Sequence, residues 1–239
     1  MNVLVVAAHP DDEILGCGAT VARHAAQGCR VETLILAEGA TARDDVRDSN
    51  SRHADIKNLR ESARLAAEIL GAARPRFGGL PDNRLDGLDR LDIIKMIEAV
   101  IAEVRPEIVY THHSGDLNVD HRIAAEAVAT ACRPLPDVPL RAIYAFETVS
   151  SSEWGPSAGF AEFKPTRFVD VTDYLQSKRR ALACYDSEIC SFPHARSIEN
   201  IEALARWRGA SVGFEAAEAF QVIRELVPAC ANDSSGEMQ

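Results

Sequence analysis

No stretch of about twenty consecutive apolar residues occurs in the chain, so no membrane span is expected. It opens without the basic start and cleavage site of a secretory signal, which makes the cytoplasm the expected compartment. Six cysteines, Cys17, Cys29, Cys132, Cys184, Cys190 and Cys230, form no CxxC pair and no disulfide-like framework. They read as cytosolic thiols. Positive charge is in deficit: 26 Lys and Arg against 36 Asp and Glu leave a net charge of −10. Phosphate backbones need a basic surface, so nucleic acid is excluded as the main partner. There is no internal repeat and no linker, only a short loop at Pro134–Pro139. With 46% apolar residues among 239, the expectation is one domain over 1–228 with a substantial core, and a frayed tail over 229–239. Oligomeric state is silent in the sequence, and a homo-oligomer stays open.

What is present centres on AAHPDDE, Ala7 to Glu13. It follows MNVLVV, a β-branched apolar run that reads as a buried first strand. The apolar positions Ile14, Leu15, Val21 and Ala22 then read as a helix over Ile14–Ala26. His9, Asp11 and Asp12 therefore stand at the carboxyl end of the first strand, where open α/β sheets place their ligands. Three acids and an imidazole within five residues are costly to crowd unless a cation neutralises them. The plainer alternative is that Asp11 or Asp12 caps the helix and His9 packs beside it.

Strand and helix patterns keep alternating along the chain. Arg30–Leu36 reads as the second strand, Asn58–Leu70 as a helix stopped by Gly71, and Leu88–Val104 as a helix ended by Pro106. Between them, Gly39–Asp55 is too polar for a core and reads as a mobile lid over the sheet edge or as a solvated charge run. FGGLPDNR, Phe77 to Arg84, begins extended and then turns. Later strands are expected at Arg141–Phe146 and Thr166–Val171, with helices at Tyr174–Tyr185 and Ile198–Arg208. The class is α/β: a Rossmann-like, mostly parallel sheet flanked by helices.

A second constellation, THHSGDLNVDHR, again leaves a strand (EIVYT) and enters a helix expected over Ile123–Ala131. His121 and Asp120 repeat the chemistry of His9 and Asp12. Together the two strand ends supply His9, Asp12 and His121, two nitrogens and one carboxylate, a set suited to zinc with an open position for water. His112 and His113 read as packing or supporting residues. His194, between Pro193 and Arg196, reads as a surface residue or as the wall of a polar substrate pocket.

AHPDDE followed by a distant DHR resembles the LmbE-like, or PIG-L, family of zinc-dependent N-acetylglucosamine deacetylases. NLRESARLAAEILG, PDNRLD, SSSEWGP, FPHARS and RWRGASVGFEAAEAF extend the likeness over nearly the whole chain. The resemblance implies one Zn²⁺ held by His9, Asp12 and His121, Asp11 as general base, and Asp120 as the acid beside the last ligand. It implies an N-acetyl amino sugar as substrate and acetate as co-product. Arg60, Asn83, Arg84, Arg196 and Glu218 are then candidates for binding hydroxyls or a phosphate on the sugar; for Arg60 the alternative is an ordinary helix-face ion pair. Better-studied branches carry a His three residues before the last ligand, where this chain has Asn118. An amide can donate to an oxyanion but cannot deliver a proton near neutral pH. Proton return to the leaving amine is therefore expected from Asp11 first, or from His194.

Two rival classes remain, a dinucleotide enzyme and a non-catalytic sugar-binding module, and a third, a receiver domain, is set aside. Gly16-Cys17-Gly18 follows the first strand, but the third glycine of a dinucleotide fingerprint is missing. A receiver-type phosphoacceptor also begins with paired acids, yet has no use for His9 or His121. A non-catalytic sugar-binding module on the same fold needs the pocket without Asp11.

Overall fold

The computed structural model describes residues 1–135, 138–155 and 159–227. The expected tail at 229–239 lies outside them, as do parts of the loops expected at Pro134–Pro139 and after SSSEWG. Among the described residues the strands are β1 (Asn2–Ala7), β2 (Arg30–Ala37), β3 (Arg76–Leu80), β4 (Ile108–His112), β5 (Ala142–Phe146), β6 (Arg167–Asp170) and β7 (Ala217–Glu225). The helices are α1 (Asp12–Ala26), α2 (His53–Leu70), α3 (Arg90–Val104), α4 (Val119–Ala131), α5 (Leu175–Leu182) and α6 (Ile198–Ala210). One sheet runs β3-β2-β1-β4-β5-β7-β6. Its first five strands are parallel, while β7 runs antiparallel to both β5 and β6. The expected α/β, mostly parallel architecture is the one observed.

β1 is a central strand because its residues are apolar on both faces. Val3 and Val5 pack into one core with Ile14 and Leu15 of α1, Leu59 and Ala63 of α2, and Leu182 of α5. Leu4 and Val6 point the other way, into a second core with Ile93 and Ile97 of α3 and Ile123 and Val128 of α4. The strand order reverses between β1 and β4: the chain leaves β1 towards β2 and β3, then returns to lay β4 and β5 on its other side. That reversal opens a crevice at the strands' carboxyl ends. No helix of the described residues is long and apolar enough to cross a membrane.

The starts of α1, α2 and α4 come earlier than the apolar pattern predicts, while α3 starts two residues later, at Arg90. α2 begins at His53 because its first turn is solvated and carries no apolar signal. α4 begins at Val119 because Asn118 caps it, its Oδ1 accepting from the Asp120 N–H at 2.8 Å. Asp120 and His121 thus sit in a helical first turn.

α1 kinks at Cys17 (φ −147°, ψ 20°). There the Ala19 and Thr20 N–H groups donate to the Glu218 carboxylate at 3.1 and 2.7 Å. Lys178 Nζ donates both to the Leu15 carbonyl and to Glu218, each at 2.7 Å. Glu218 and Lys178 are 5% and 4% exposed. Glu218 therefore belongs to a buried ion pair that ties β7 and α5 to the bent helix, with both of its carboxylate oxygens engaged. Its charge is structural because the kink leaves polar backbone groups inside the core. Glu218→Gln leaves an uncompensated buried ammonium and is expected to cost about 3–5 kcal/mol, read as a lowered urea midpoint. A cost below about 1 kcal/mol contradicts this role.

Candidate metal centre

β1 ends at Ala7, and the turn His9-Pro10-Asp11 delivers Asp12 to the first position of α1. β4 ends at His112 one strand away, and the loop after it brings His121 back in the first turn of α4. The two segments converge. Asp12 Oδ2 lies 3.2 Å from His9 Nδ1 and 3.2 Å from His121 Nε2. His9, Asp12 and His121 form a group whose ligand atoms all lie within 4.8 Å of one another, close enough to hold one metal ion.

The donor chemistry fits a cation. Asp12 Oδ1 is buried without a hydrogen-bond partner, and the His121 ring nitrogens, 3.2 and 3.1 Å from carboxylate oxygens of Asp12 and Asp116, are buried without a well-aligned hydrogen bond. Such atoms are costly to leave unmet unless a ligand meets them. Burial works against a charged ring at His9, yet its bonds to Asp12 and Asp120 raise its pKa well above that of an ordinary imidazole. At His121, burial likewise opposes the charge, but Asp12 and Asp116 bring the pKa to about 9. Asp12, despite burial, is held well below the carboxylate range by His121 and His112. These carboxylates demand positive charge, and a dication binding there displaces the protons they recruit to the imidazoles.

The surrounding acids orient the rings. His9 Nε2 lies 3.1 Å from Asp120 Oδ2 and 3.3 Å from Asp82 Oδ1. Both ring nitrogens face carboxylates, which only accept; a cation beside Asp12 would take the place of the Nδ1 proton, while Asp120 would keep the Nε2 proton. Asp120 Oδ1 accepts from the Leu85 N–H at 3.0 Å. Asp120 thus serves His9, not the last ligand as the resemblance implies. The acid beside His121 is Asp116, 3.1 Å from Nδ1. Burial would raise the Asp116 pKa, but His121 and the Ser151 and Ser152 hydroxyls hold it at about 2. His112 forms the floor: it stacks on His121 at 3.9 Å, and its Nε2 accepts from the Ala8 N–H at 2.9 Å. Burial, followed by the His121 charge, lowers His112 to about 3, so it stays neutral. His113 bonds the Ala161 carbonyl through Nε2, a packing role.

Asp11 is 2% exposed and adopts φ 106°, a left-handed conformation that a non-glycine residue holds only under constraint. Two contacts supply the constraint. Its N–H donates to Glu13 Oε2 at 3.0 Å, and Arg196 donates to its Oδ2 at 2.7 Å. Glu13 is itself fixed by the Tyr185 hydroxyl. Burial lifts the Asp11 pKa well above the carboxylate range, with Arg196 working against the rise.

The remaining candidates divide. Arg196 also donates to Ser150 Oγ at 2.8 Å, so it closes one side of the site on the Asp11 carboxylate. His194 is exposed, with its Nδ1 accepting from the Arg196 N–H at 3.0 Å, and it lines a separate groove edged by Trp154. Of the SFPHARS turn, Arg196 is the residue that touches Asp11. Asn118 Oδ1 is engaged in capping α4. Asn83 and Arg84 are exposed on the turn that Asp82 and Leu85 stitch to the centre. Arg60 makes no ion pair among the described residues and lies over the Phe77 ring at 5.3 Å. The Gly39–Asp55 stretch is pinned by its own contacts: Ala42 N–H to Asp82, Arg43 to Glu188, Arg47 to Glu38 and Arg52 to Asp44.

Residues missed in the sequence are Asp116, Asp82 and Glu13. Asp116 sits five residues before His121 in the same polar loop, and that proximity was the available signal.

Known proteins share this arrangement of elements and motifs. The model of the family PIG-L, GlcNAc-PI de-N-acetylase, matches residues 4–132. YaiS of Escherichia coli K12, an uncharacterized deacetylase, is 32% identical over 192 residues, covering 78% of this chain and 91% of its own. The 1D-myo-inositol 2-acetamido-2-deoxy-alpha-D-glucopyranoside deacetylase of Rhodococcus erythropolis is 29% identical, with 80% of this chain and 82% of that protein covered. The solved structure of GalB, the 4-carboxy-2-hydroxymuconate hydratase of Pseudomonas putida, superposes with a TM-score of 0.74 at 25% identity, over 95% of this chain and 98% of that one. The motif at the end of β1, the match over more than half of the chain and the relatives at this coverage together place the protein in the PIG-L family.

Proposed function

We propose that the protein is a zinc-dependent N-deacetylase that hydrolyses the acetamide of an N-acetylglucosamine-type sugar or its conjugate, releasing acetate. The observation that carries this reading is the convergence of His9, Asp12 and His121, with unmet buried donors, beside a separately held carboxylate, Asp11. Two imidazoles and one carboxylate suit zinc, which when bound supplies an acidified water and polarises the amide carbonyl. Asp11 takes the proton of the attacking water and returns it to the amine nitrogen as the C–N bond breaks. Arg196 keeps the Asp11 carboxylate aimed, and Asn83 and Arg84 offer exposed donors for sugar hydroxyls.

The likeness to GalB favours one second reading, water addition to an unsaturated acid by the same proton-handling residues. Acetate release from purified protein across a panel of N-acetyl amino sugars, with an unsaturated dicarboxylic acid run in parallel, separates the two. Acetate from at least one sugar is expected. Turnover of the unsaturated acid alone overturns the deacetylase reading.

The placement of the SFPHARS turn ranks two variants. Arg196→Gln, which removes the cation from Asp11, is expected to lower kcat by about 10²-fold or more, the usual scale for loss of a charged group in the reacting constellation. His194→Ala is expected to cost less, because its nitrogen serves the turn. A larger loss in His194→Ala than in Arg196→Gln assigns proton return to His194.

A further inference from the structure

α1 runs away from the metal centre, and His24 lies twelve residues beyond Asp12, about 18 Å along the helix at about 1.5 Å per residue. Beside it opens a cavity of about 440 Å³ lined by Arg23, His24, Tyr110, Arg167, Asp170 and Phe214, among others. This size falls in the range of about 300–1,000 Å³ usual for small-molecule pockets. None of the residues assigned to the metal centre lines it.

The cavity gathers positive charge in a chain of net charge −10. Arg23 donates to the Asp170 carbonyl at 2.5 Å and forms no ion pair among the described residues. The Asp170 carboxylate is engaged by Thr172, at 3.0 Å from its N–H and 2.7 Å from its hydroxyl. Arg167 lies 4.4 Å over the Tyr144 ring, with Glu225 at 3.6 Å from one guanidinium nitrogen. Its Nε is buried and has no partner. His24 Nε2 is 3.0 Å from the Tyr110 hydroxyl, while Nδ1 is buried and also has no partner. Burial first, then the nearby Arg167 and Arg23, lower the His24 pKa to about 4, so the ring is neutral near pH 7.

Two arginines, one of them without an ion pair among the described residues, and an imidazole lining one cavity are what an oxyanion satisfies. Its oxygens accept from guanidinium and imidazole N–H groups together, and charge-assisted bonds of this kind are the strong ones. Phe214 leaves an apolar wall for the body that carries the anion. We propose that this cavity binds a small oxyanion, phosphate or carboxylate, through Arg23, Arg167 and His24, at a site separate from the metal centre.

Calorimetric titration with inorganic phosphate and, in a second arm, with acetate tests this at constant ionic strength set by chloride. The wild-type protein and Asp12→Asn are expected to show the same saturable one-site binding of at least one of the two anions, and the arm that saturates identifies which. Arg167→Gln and Arg23→Gln are each expected to weaken it tenfold or more. Arg23 lies at a partly exposed helix end, so its variant keeps the test readable if Arg167→Gln fails to fold. No saturable binding of either anion to the wild-type protein overturns the proposal. So does binding that is lost in Asp12→Asn and kept in Arg23→Gln, which assigns the anion to the metal centre.

Discussion

Asp11→Asn is expected to keep its metal and lose nearly all acetate release, by about 10²–10⁴-fold in kcat, the range of a general acid–base residue. The substitution is nearly isosteric, and the Asp11 backbone N–H still reaches Glu13 at 3.0 Å, so the left-handed turn is retained. Asp11 is also absent from the groups of side chains close enough to share an ion. What disappears is a group able to accept a proton, since an amide oxygen is a poor base. Metal content by mass spectrometry and acetate release on the same preparation check both halves. If Asp11→Asn loses the metal while Asp12→Asn keeps it, the two carboxylates exchange roles.

His121→Ala is expected to abolish metal binding and, with it, activity, while the sheet stays folded. His121 is 1% exposed and is stacked on His112 at 3.9 Å. Its removal leaves a cavity beside a neutral ring, at a cost of a few kcal/mol on the scale of other large-to-small core changes. The two hydrophobic cores draw their apolar residues from elsewhere. Circular dichroism is expected to remain native-like while bound metal falls below a tenth of an equivalent, about a tenfold loss or more, as for loss of a ligand or its supporting shell. Full metal occupancy in His121→Ala identifies His9, Asp82 and Asp120, the other group able to hold an ion, as the site.

His9, Asp12 and His121 were legible because each follows a strand with an unmistakable apolar run, and a parallel sheet brings strand ends to one edge. The acids around them were harder to place. Asp116, in the loop, and Asp120, in the first turn of α4, lie four residues apart, and which imidazole each serves depends on how α4 starts. That start depends on the Asn118 cap, whose oxygen bonds the Asp120 N–H. The same residue reads as an oxyanion donor from its spacing to His121, a role that would use its amide nitrogen and not the capping oxygen. Glu218 reads as a candidate for sugar hydroxyls because its partners do not show in chain order. Its partners are Lys178, forty residues away, and N–H groups turned out by a kink in α1, nearly two hundred residues away. Arg196 reads as a candidate for sugar hydroxyls or a phosphate, and its contact with Asp11, which spans 185 residues, comes from tertiary packing alone.

Zinc titration of chelator-treated protein, with acetate release followed at each addition, tests the central claim most directly. The account predicts no activity in the metal-free protein and a linear rise that breaks at one equivalent of zinc per chain, with no rise in Asp12→Asn. Undiminished acetate release from the metal-free protein, or a full response to zinc in Asp12→Asn, contradicts it.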